Sequence, residues 1–412
     1  STLKSARIII NQCSEGGIDY GNFATKGMAE VLAAYNCALI ADMFGDAPCS
    51  QAALVDENGS PVYLTPKMDK QEEIYTQAMQ YLDDAIADLQ KEDLIDPGAQ
   101  DLLYQGDAEK WLKLAYGLKA RYTMHLLKRS ANKDADMEKV LEYVDNSFES
   151  AEEQAAFDVY DANNINPLYG FFVARAGLGA SESMRSKLAE YNDPRLSRAF
   201  ITKQGASGKE QAPGTADNAV YAPNGTPEQG TSKYGTSLFM YSISAPTLLL
   251  SYHELKFLEA EALCRLERDA KSALKDAVVA GLLNAENSFT ISRKELGKTL
   301  INAASSITEA EAESYFDNTI EAKYTAEPLK TTMIQKYFAL WGASGEATES
   351  YNDVRRMKGL GENFIELKNP NSFPLRCPYG NSDTTTNAEV KAAYGNGQYV
   401  YSENVWWAGG SR

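Results

Sequence analysis

Apolar residues recur every three to four positions through the first third of the chain. That spacing restricts the region to amphipathic helices that must stack to hide one face each. Met28, Val31, Leu32, Tyr35 and Leu39 form one stripe, and Ile74, Ala78, Tyr81, Leu82, Ala85 and Leu89 form the next. Trp111, Leu114, Ala115, Leu118, Tyr122 and Leu126 form a third, and Met137, Val140, Leu141, Val144 and Phe148 a fourth. Helix pairs joined by short polar turns bury such faces by stacking on one another.

The pattern breaks between about 150 and 245. Asn163-Asn164-Ile165-Asn166-Pro167, Gly177-Leu178-Gly179 and the stretch Gly205–Gly235 are rich in Gly, Pro, Asn, Ser and Thr, which are loop signals. A loop region this long is functional or disordered. Its interspersed aromatics, Tyr160, Tyr169, Phe171, Phe172, Tyr221, Tyr234, Phe239 and Tyr241, favour an ordered insertion. Helical spacing resumes at Pro246 with Leu248, Tyr252, Leu255, Ala262 and Leu266, and a second helix runs from Ala270 to about Leu283. This Ala-rich pair resembles a tetratricopeptide unit. Further helix is expected over 308–325, 328–341 and 347–357, and the tail from Gly361 to Arg412 reads as loop. The adjacent Trp406 and Trp407 near its end either pin the tail or line a site.

Charge excludes some partners. Forty Lys and Arg face 57 Asp and Glu, a net charge of −17, and such a field repels phosphate backbones and anionic lipid. No basic cluster with interleaved aromatics offsets it, so nucleic acid is not an expected partner, whereas a neutral sugar is not penalised. Tyr is abundant, at 24 residues, and its ring offers a ligand an apolar face with a polar tip. Cys13, Cys37, Cys49, Cys264 and Cys377 are odd in number and widely spaced without a CxxC pair, which reads as buried free thiols. No run of about 18 apolar residues suggests a membrane-spanning helix.

Catalytic signatures fail one by one. His253-Glu254-Leu255-Lys256-Phe257 begins like a zinc-protease helix but carries Phe257 where the second imidazole is required. Gly297-Lys298-Thr299 echoes the end of a phosphate loop, but Ser292 stands in place of the first glycine. There is no GxSxG elbow, and Asp161-Ala162-Asn163-Asn164-Ile165 lacks the alternation and glycine of a calcium loop. Carboxylate pairs such as Glu254 with Glu259, or Asp42 with Asp46, leave glycoside hydrolysis open, although helix-surface charges and caps explain them more simply.

Five segments, in order, resemble the SusD/RagB family of nutrient-binding outer-membrane lipoproteins of Bacteroidetes. They are Asp42-Met43-Phe44-Gly45-Asp46-Ala47-Pro48, Glu254 through Ala262, Ile334 through Leu340, Tyr351-Asn352-Asp353-Val354-Arg355-Arg356, and Phe373-Pro374-Leu375-Arg376 through Pro378-Tyr379. The acidic residue that follows the last motif in the family is replaced by Gly380-Asn381-Ser382. The resemblance also implies that the chain starts inside the first family helix, without the lipidated Cys and the first ~80 residues usual in the family, and no cysteine here fits a lipid anchor.

The resemblance implies a mainly α fold: a tetratricopeptide-like helical-repeat scaffold with a large loop-rich insertion and C-terminal segment. The whole of 1–412 is then one SusD-like domain, with scaffold at about 1–150 and 246–357 and a ligand-facing part at about 151–245 and 358–412. It implies surface capture of glycans at the outer membrane, tethering by an N-terminal lipid absent from this chain, delivery to a TonB-dependent transporter of the SusC type, and no catalysis; the residues themselves motivate no metal or cofactor, with a loop calcium site left open. The signature residues themselves read as structural: turn-formers in Asp42–Pro48, Arg355 and Arg356 holding acids, Glu259 and Glu261 pairing with bases. The ligand candidates are Tyr169, Tyr234, Tyr241, Trp406 and Trp407 as stacking surfaces, with Asn166 and Arg175 as polar partners, chosen because they sit beside Gly and Asn in loops. Two other functions stay open: a tetratricopeptide-type protein-interaction module and a carboxylate glycoside hydrolase.

Overall fold

The computed structural model describes residues 2–175, 178–202, 211–213, 220–226, 233–296, 305–342 and 345–412. The phosphate-loop echo at 297–299, Gly177 and most of the Gly205–Gly235 stretch lie outside them. Mainly helical as expected, the chain forms two compact units. Unit 1 comprises Ser1–Glu149, Tyr351–Asn363 and Ser372–Arg412, and unit 2 comprises Ser150–Ser350 and Phe364–Asn371.

Unit 1 is built on α1 (Thr2–Cys13), α2 (Phe23–Phe44), α3 (Gln71–Asp88), α4 (Ala108–His125) and α5 (Lys133–Asp145). Three of the four expected stripes are its core: Ile74, Leu82, Trp111, Leu114, Val140 and Phe148 are all buried. The stripe on α2 differs. Its most deeply buried residues are Ala33, Ala34, Cys37, Ala38 and Ala41, while Leu32, Tyr35 and Leu39 are half-buried. Small side chains let the neighbouring helices approach closely, and a Cβ at Gly27 would stand 2.6 Å from Leu89 Cγ. By length and composition α2 is apolar enough to cross a membrane, a test that buried core helices also pass. Its contacts with α1, α3 and α4 make it the core helix of unit 1. Asp107 caps α4 and Asn132 caps α5 through their side-chain oxygens, satisfying N–H groups that a helix start leaves unpaired.

The expected C-terminal loop contains two short helices, at Asn381–Thr386 and Ala388–Tyr394. The Thr385 and Thr386 hydroxyls in the first donate to carbonyls one turn earlier, so a run that reads as loop still closes a helical turn. Asn387 caps the second, and Val390 and Tyr394 bury its apolar side.

Unit 2 contains α6 (Pro167–Ala174), α7 (Glu182–Glu190), α8 (Arg195–Ala199), α9 (Tyr252–Arg265), α10 (Lys271–Leu296), α11 (Glu309–Tyr315), α12 (Glu321–Ala326) and α13 (Pro328–Ala339). A further helix, α14, spans Ala347–Leu360. Short antiparallel strands support unit 2: β1 (Ala155–Phe157) pairs with β5 (Thr247–Leu250), and β2 (Phe200–Thr202) lies between β3 (Gln211–Pro213) and β4 (Thr236–Ser237). Residues 247–250 are thus strand rather than helix start. Ser251 accepts from Glu254 N and caps α9 just beyond.

The expected scaffold and insertion do not separate, because Leu188, Phe200 and Leu238 of the insertion share one core with Phe289 and Phe338 of α10 and α13. A second core joins Phe257, Leu274, Phe316 and Ile320.

Candidate functional site

In unit 1, the residues carrying the family resemblance form a buried polar frame. Asp42, at the end of α2, accepts from the Tyr75 hydroxyl and from Trp407 Nε1 at 3.0 Å, with Asn352 Nδ2 at 3.4 Å. Tyr75 also contacts His125 Nδ1 at 2.9 Å, and the His125 ring stacks on Trp407 at 5.7 Å. Arg355 donates to the backbone oxygens of Asp42 and Leu375 and lies 4.9 Å from the Trp407 ring centroid. Asp46 accepts from Gln71 N at 2.9 Å, Lys70 Nζ at 2.9 Å and the Tyr394 hydroxyl at 2.7 Å. Arg356 pairs with Asp353 at 2.7 Å, and in unit 2 Glu261 pairs with Arg265 and Glu259 with Lys256. Asp42, Asp46 and Glu254 are each at most 1% exposed, so the carboxylate pairs considered for hydrolysis have no opening for a sugar and a water. Both histidines are buried as well, and burial, with Arg195 and Lys336 nearby, pushes the His253 imidazole down to about 3.

Burial and internal partners remove two sequence candidates from a ligand-facing role. Trp407 is 0% exposed, and both its indole faces and its N–H are occupied in the frame. Asn166 is 2% exposed: its side-chain oxygen caps α6 at Leu168 N and Tyr169 N, and its amide donates to Ala245 O at 2.7 Å. Trp406 is half-buried beneath the Arg129 guanidinium, 5.0 Å from its ring centroid. Tyr234 is buried, with Lys233 Nζ 5.3 Å from its ring centroid. Tyr241 is half-buried and tilted against buried Phe172 at 5.1 Å. Tyr169 is half-buried on α6 and Arg175 is exposed at its C-terminal end. The two tryptophans belong to unit 1 and the other candidates to unit 2.

A concavity of about 930 Å³ lies wholly in unit 2. Helix α7 supplies Glu182, Ser183, Ser186, Lys187 and Glu190 to its wall, and α12 and α13 supply Lys323, Lys330, Ile334 and Phe338. The rim comes from Pro223, Asn224 and Thr226 on one side and Phe364, Ile365 and Pro370 on the other. Asn224 fastens the two strips: its oxygen accepts from Ser181 Oγ at 2.8 Å and its amide donates to Asn369 Oδ1 at 3.1 Å. Gly225 adopts φ +74°, and a Cβ there would stand 2.6 Å from Pro370 Cδ, so glycine is required for this closure.

Tyr191 lines the wall beside Phe338, with Phe364 on the rim. Its ring meets Phe338 edge-on at 5.3 Å, and Lys323 Nζ sits 4.5 Å from its centroid. Burial pushes its hydroxyl pKa up. Burial pushes the Lys187 ammonium down, and that group donates to Ser183 Oγ at 2.7 Å. Apolar floor, one aromatic face and several hydroxyl, amide and ammonium groups together make a small-molecule site of ordinary size and chemistry. Sequence reasoning passed over Tyr191, although Asn192-Asp193-Pro194 beside it are turn formers of the kind used to choose the candidates. The groove forms only when 182–191, 223–226, 323–338 and 364–370 come together.

The chain matches the family described as "SusD-like_2: Starch-binding associating with outer membrane" over residues 3–379. No functionally curated protein matches it. Its structure is similar to that of a SusD/RagB family protein from Bacteroides thetaiotaomicron, at 67% identity and TM-score 0.94, covering 100% of this chain and 86% of that one. It shares the fold of a SusD homolog from Bacteroides fragilis, at 20% identity and TM-score 0.74, over 98% of this chain and 88% of that one. It likewise shares the fold of a chitin-binding SusD homolog from Flavobacterium johnsoniae, at 20% identity and TM-score 0.70, over 99% and 84% of the two chains. By a family match over nearly the whole chain and a 67% identical structural relative, the chain belongs to the SusD-like family.

Proposed function

We propose that this protein captures glycans at the bacterial surface, without catalysis, and passes them to a TonB-dependent transporter of the SusC type. The unit 2 groove, with Tyr191 as its stacking surface, is the proposed site. The observation that carries the reading is a 930 Å³ groove in which an aromatic face stands among hydroxyl, amide and ammonium groups. Sugar rings need that combination, because their C–H faces stack on aromatics while their hydroxyls seek paired donors and acceptors. Tyr169, Tyr241 and Arg175 remain proposed outer contacts. Family membership, and a relative named as chitin-binding, support the glycan class. Calorimetry against soluble starch, chito-oligosaccharides and acidic polysaccharides tests it; absence of heat and of retention with every glycan would refute it. Delivery is tested by co-purification of a TonB-dependent transporter with the membrane-anchored protein.

A further inference from the structure

Two of the five thiols lie together, a juxtaposition that the widely spaced cysteine pattern did not suggest. Cys37, in the middle of α2, and Cys49, in the segment that follows it, bring their sulfurs to 3.1 Å. Both are buried, at 0% and 2% exposure. Cys49 is fixed from two sides: its N–H donates to Asp69 Oδ2 at 2.9 Å, and its carbonyl accepts from Arg7 Nη1 at 2.9 Å. A disulfide spans about 2.05 Å, so a further approach of about 1 Å would close the bond. Cys13, Cys264 and Cys377 have no sulfur neighbour among the described residues; the Cys264 thiol meets Thr332 Oγ1 instead.

We infer that Cys37 and Cys49 form a disulfide in the exported protein, a covalent clamp tying α2 to the segment carrying Asp46 and Pro48. The surface location proposed above would expose the folding chain to an oxidising compartment, where such bonds persist. The oxidant is a protein or small-molecule disulfide. One cysteine thiolate attacks it, giving a mixed disulfide and releasing one thiol. The second thiolate then attacks the cysteine sulfur of that mixed disulfide, forming Cys37–Cys49 and releasing the second thiol. Two electrons pass to the oxidant, and the two cysteine protons end on its thiols. Cys49 is suited to be first: the hydrogen bond from the Cys37 thiol and the nearby Arg7 guanidinium hold its thiol below the ordinary range. Burial of both sulfurs means the bond forms during folding and then resists reduction.

Sequence supplies a direct test. No Lys or Arg lies between Gly27 and Lys67, so trypsin releases both cysteines in one peptide, and Met43 lies between them. The full chain, exported to a periplasm and isolated without reductant, is denatured and alkylated. The expected result is label on Cys13, Cys264 and Cys377 only, with peptide 27–67 lighter by two hydrogens. Cyanogen bromide cleavage at Met43 should separate its halves only after reduction. Refolding the reduced full chain in mixed oxidised and reduced glutathione should give the same bond, and this arm does not depend on export or glycan binding. Label on all five thiols in both preparations, or a bond joining either residue to another cysteine, would overturn the proposal.

Discussion

Replacing Trp407 by Ala should cost unit 1 about 6 kcal/mol. The indole is 0% exposed, and burying a Trp removes about 150–250 Å² from water. At about 25 cal/mol per Å² that burial is worth about 4–6 kcal/mol, and measured Trp→Ala losses of about 3–5 kcal/mol agree. The 3.0 Å bond from Nε1 to the Asp42 carboxylate adds about 1.5 kcal/mol, the low end for a bond to a charge, because Tyr75 still donates to Asp42. Trp407→Phe keeps most of the packing and should lose about 2 kcal/mol. Trp406→Ala, at a half-buried neighbour, should lose about 1 kcal/mol. Urea unfolding followed by tryptophan fluorescence reads this well, since Trp111, Trp406 and Trp407 lie in unit 1 and only Trp341 in unit 2. A Trp407→Ala loss below about 1 kcal/mol would refute the reasoning that the C-terminal tail is pinned to the end of α2 through this ring.

Three other outcomes follow from the same structure. Burial raises the Glu30 carboxyl to about 7, and one of its oxygens is buried without a hydrogen bond. Its folded pKa exceeds its unfolded value, so stability should fall as pH rises from about 4.5 to 7, by at most about 3 kcal/mol. Glu30→Gln should flatten that slope in pH-dependent urea melts. His253, pushed down to about 3, gives the opposite sign: stability should fall as pH drops from about 6.5 toward 3, and His253→Phe should remove that loss. Gly225→Ala should cost about 1–2 kcal/mol through its positive φ and the clash with Pro370, and should weaken glycan binding by spreading the rim, as read by thermal melts and calorimetry.

Helix content and the cores of α3, α4 and α5 were legible in the sequence because large apolar residues at three- and four-residue spacing have only one way to hide. The buried face of α2 was not legible, because Ala and Cys give a weak apolar signal although they pack the closest. The strand at 247–250 reads as helix start because four apolar residues fit either period until the Ser251 cap is seen. The family motifs were legible as structure: Asp42, Asp46 and Arg355 serve the frame. Asn166 and Trp407 attracted attention as loop residues, yet polar satisfaction and burial, which no single sequence displays, give both to the fold. The groove was the least legible feature, since its walls come from four separated segments.

The central claim is that the unit 2 groove binds glycan through Tyr191. Isothermal calorimetry comparing the wild-type protein with Tyr191→Ala, using a glycan from the panel that the wild type binds and confirming equal thermal melts, tests it most directly. Loss of the stacking face should weaken binding by about tenfold, since about 1.4 kcal/mol corresponds to that factor and an aromatic face supplies about that much. Equal affinity in the two proteins at equal stability would contradict the claim and move the site out of this groove.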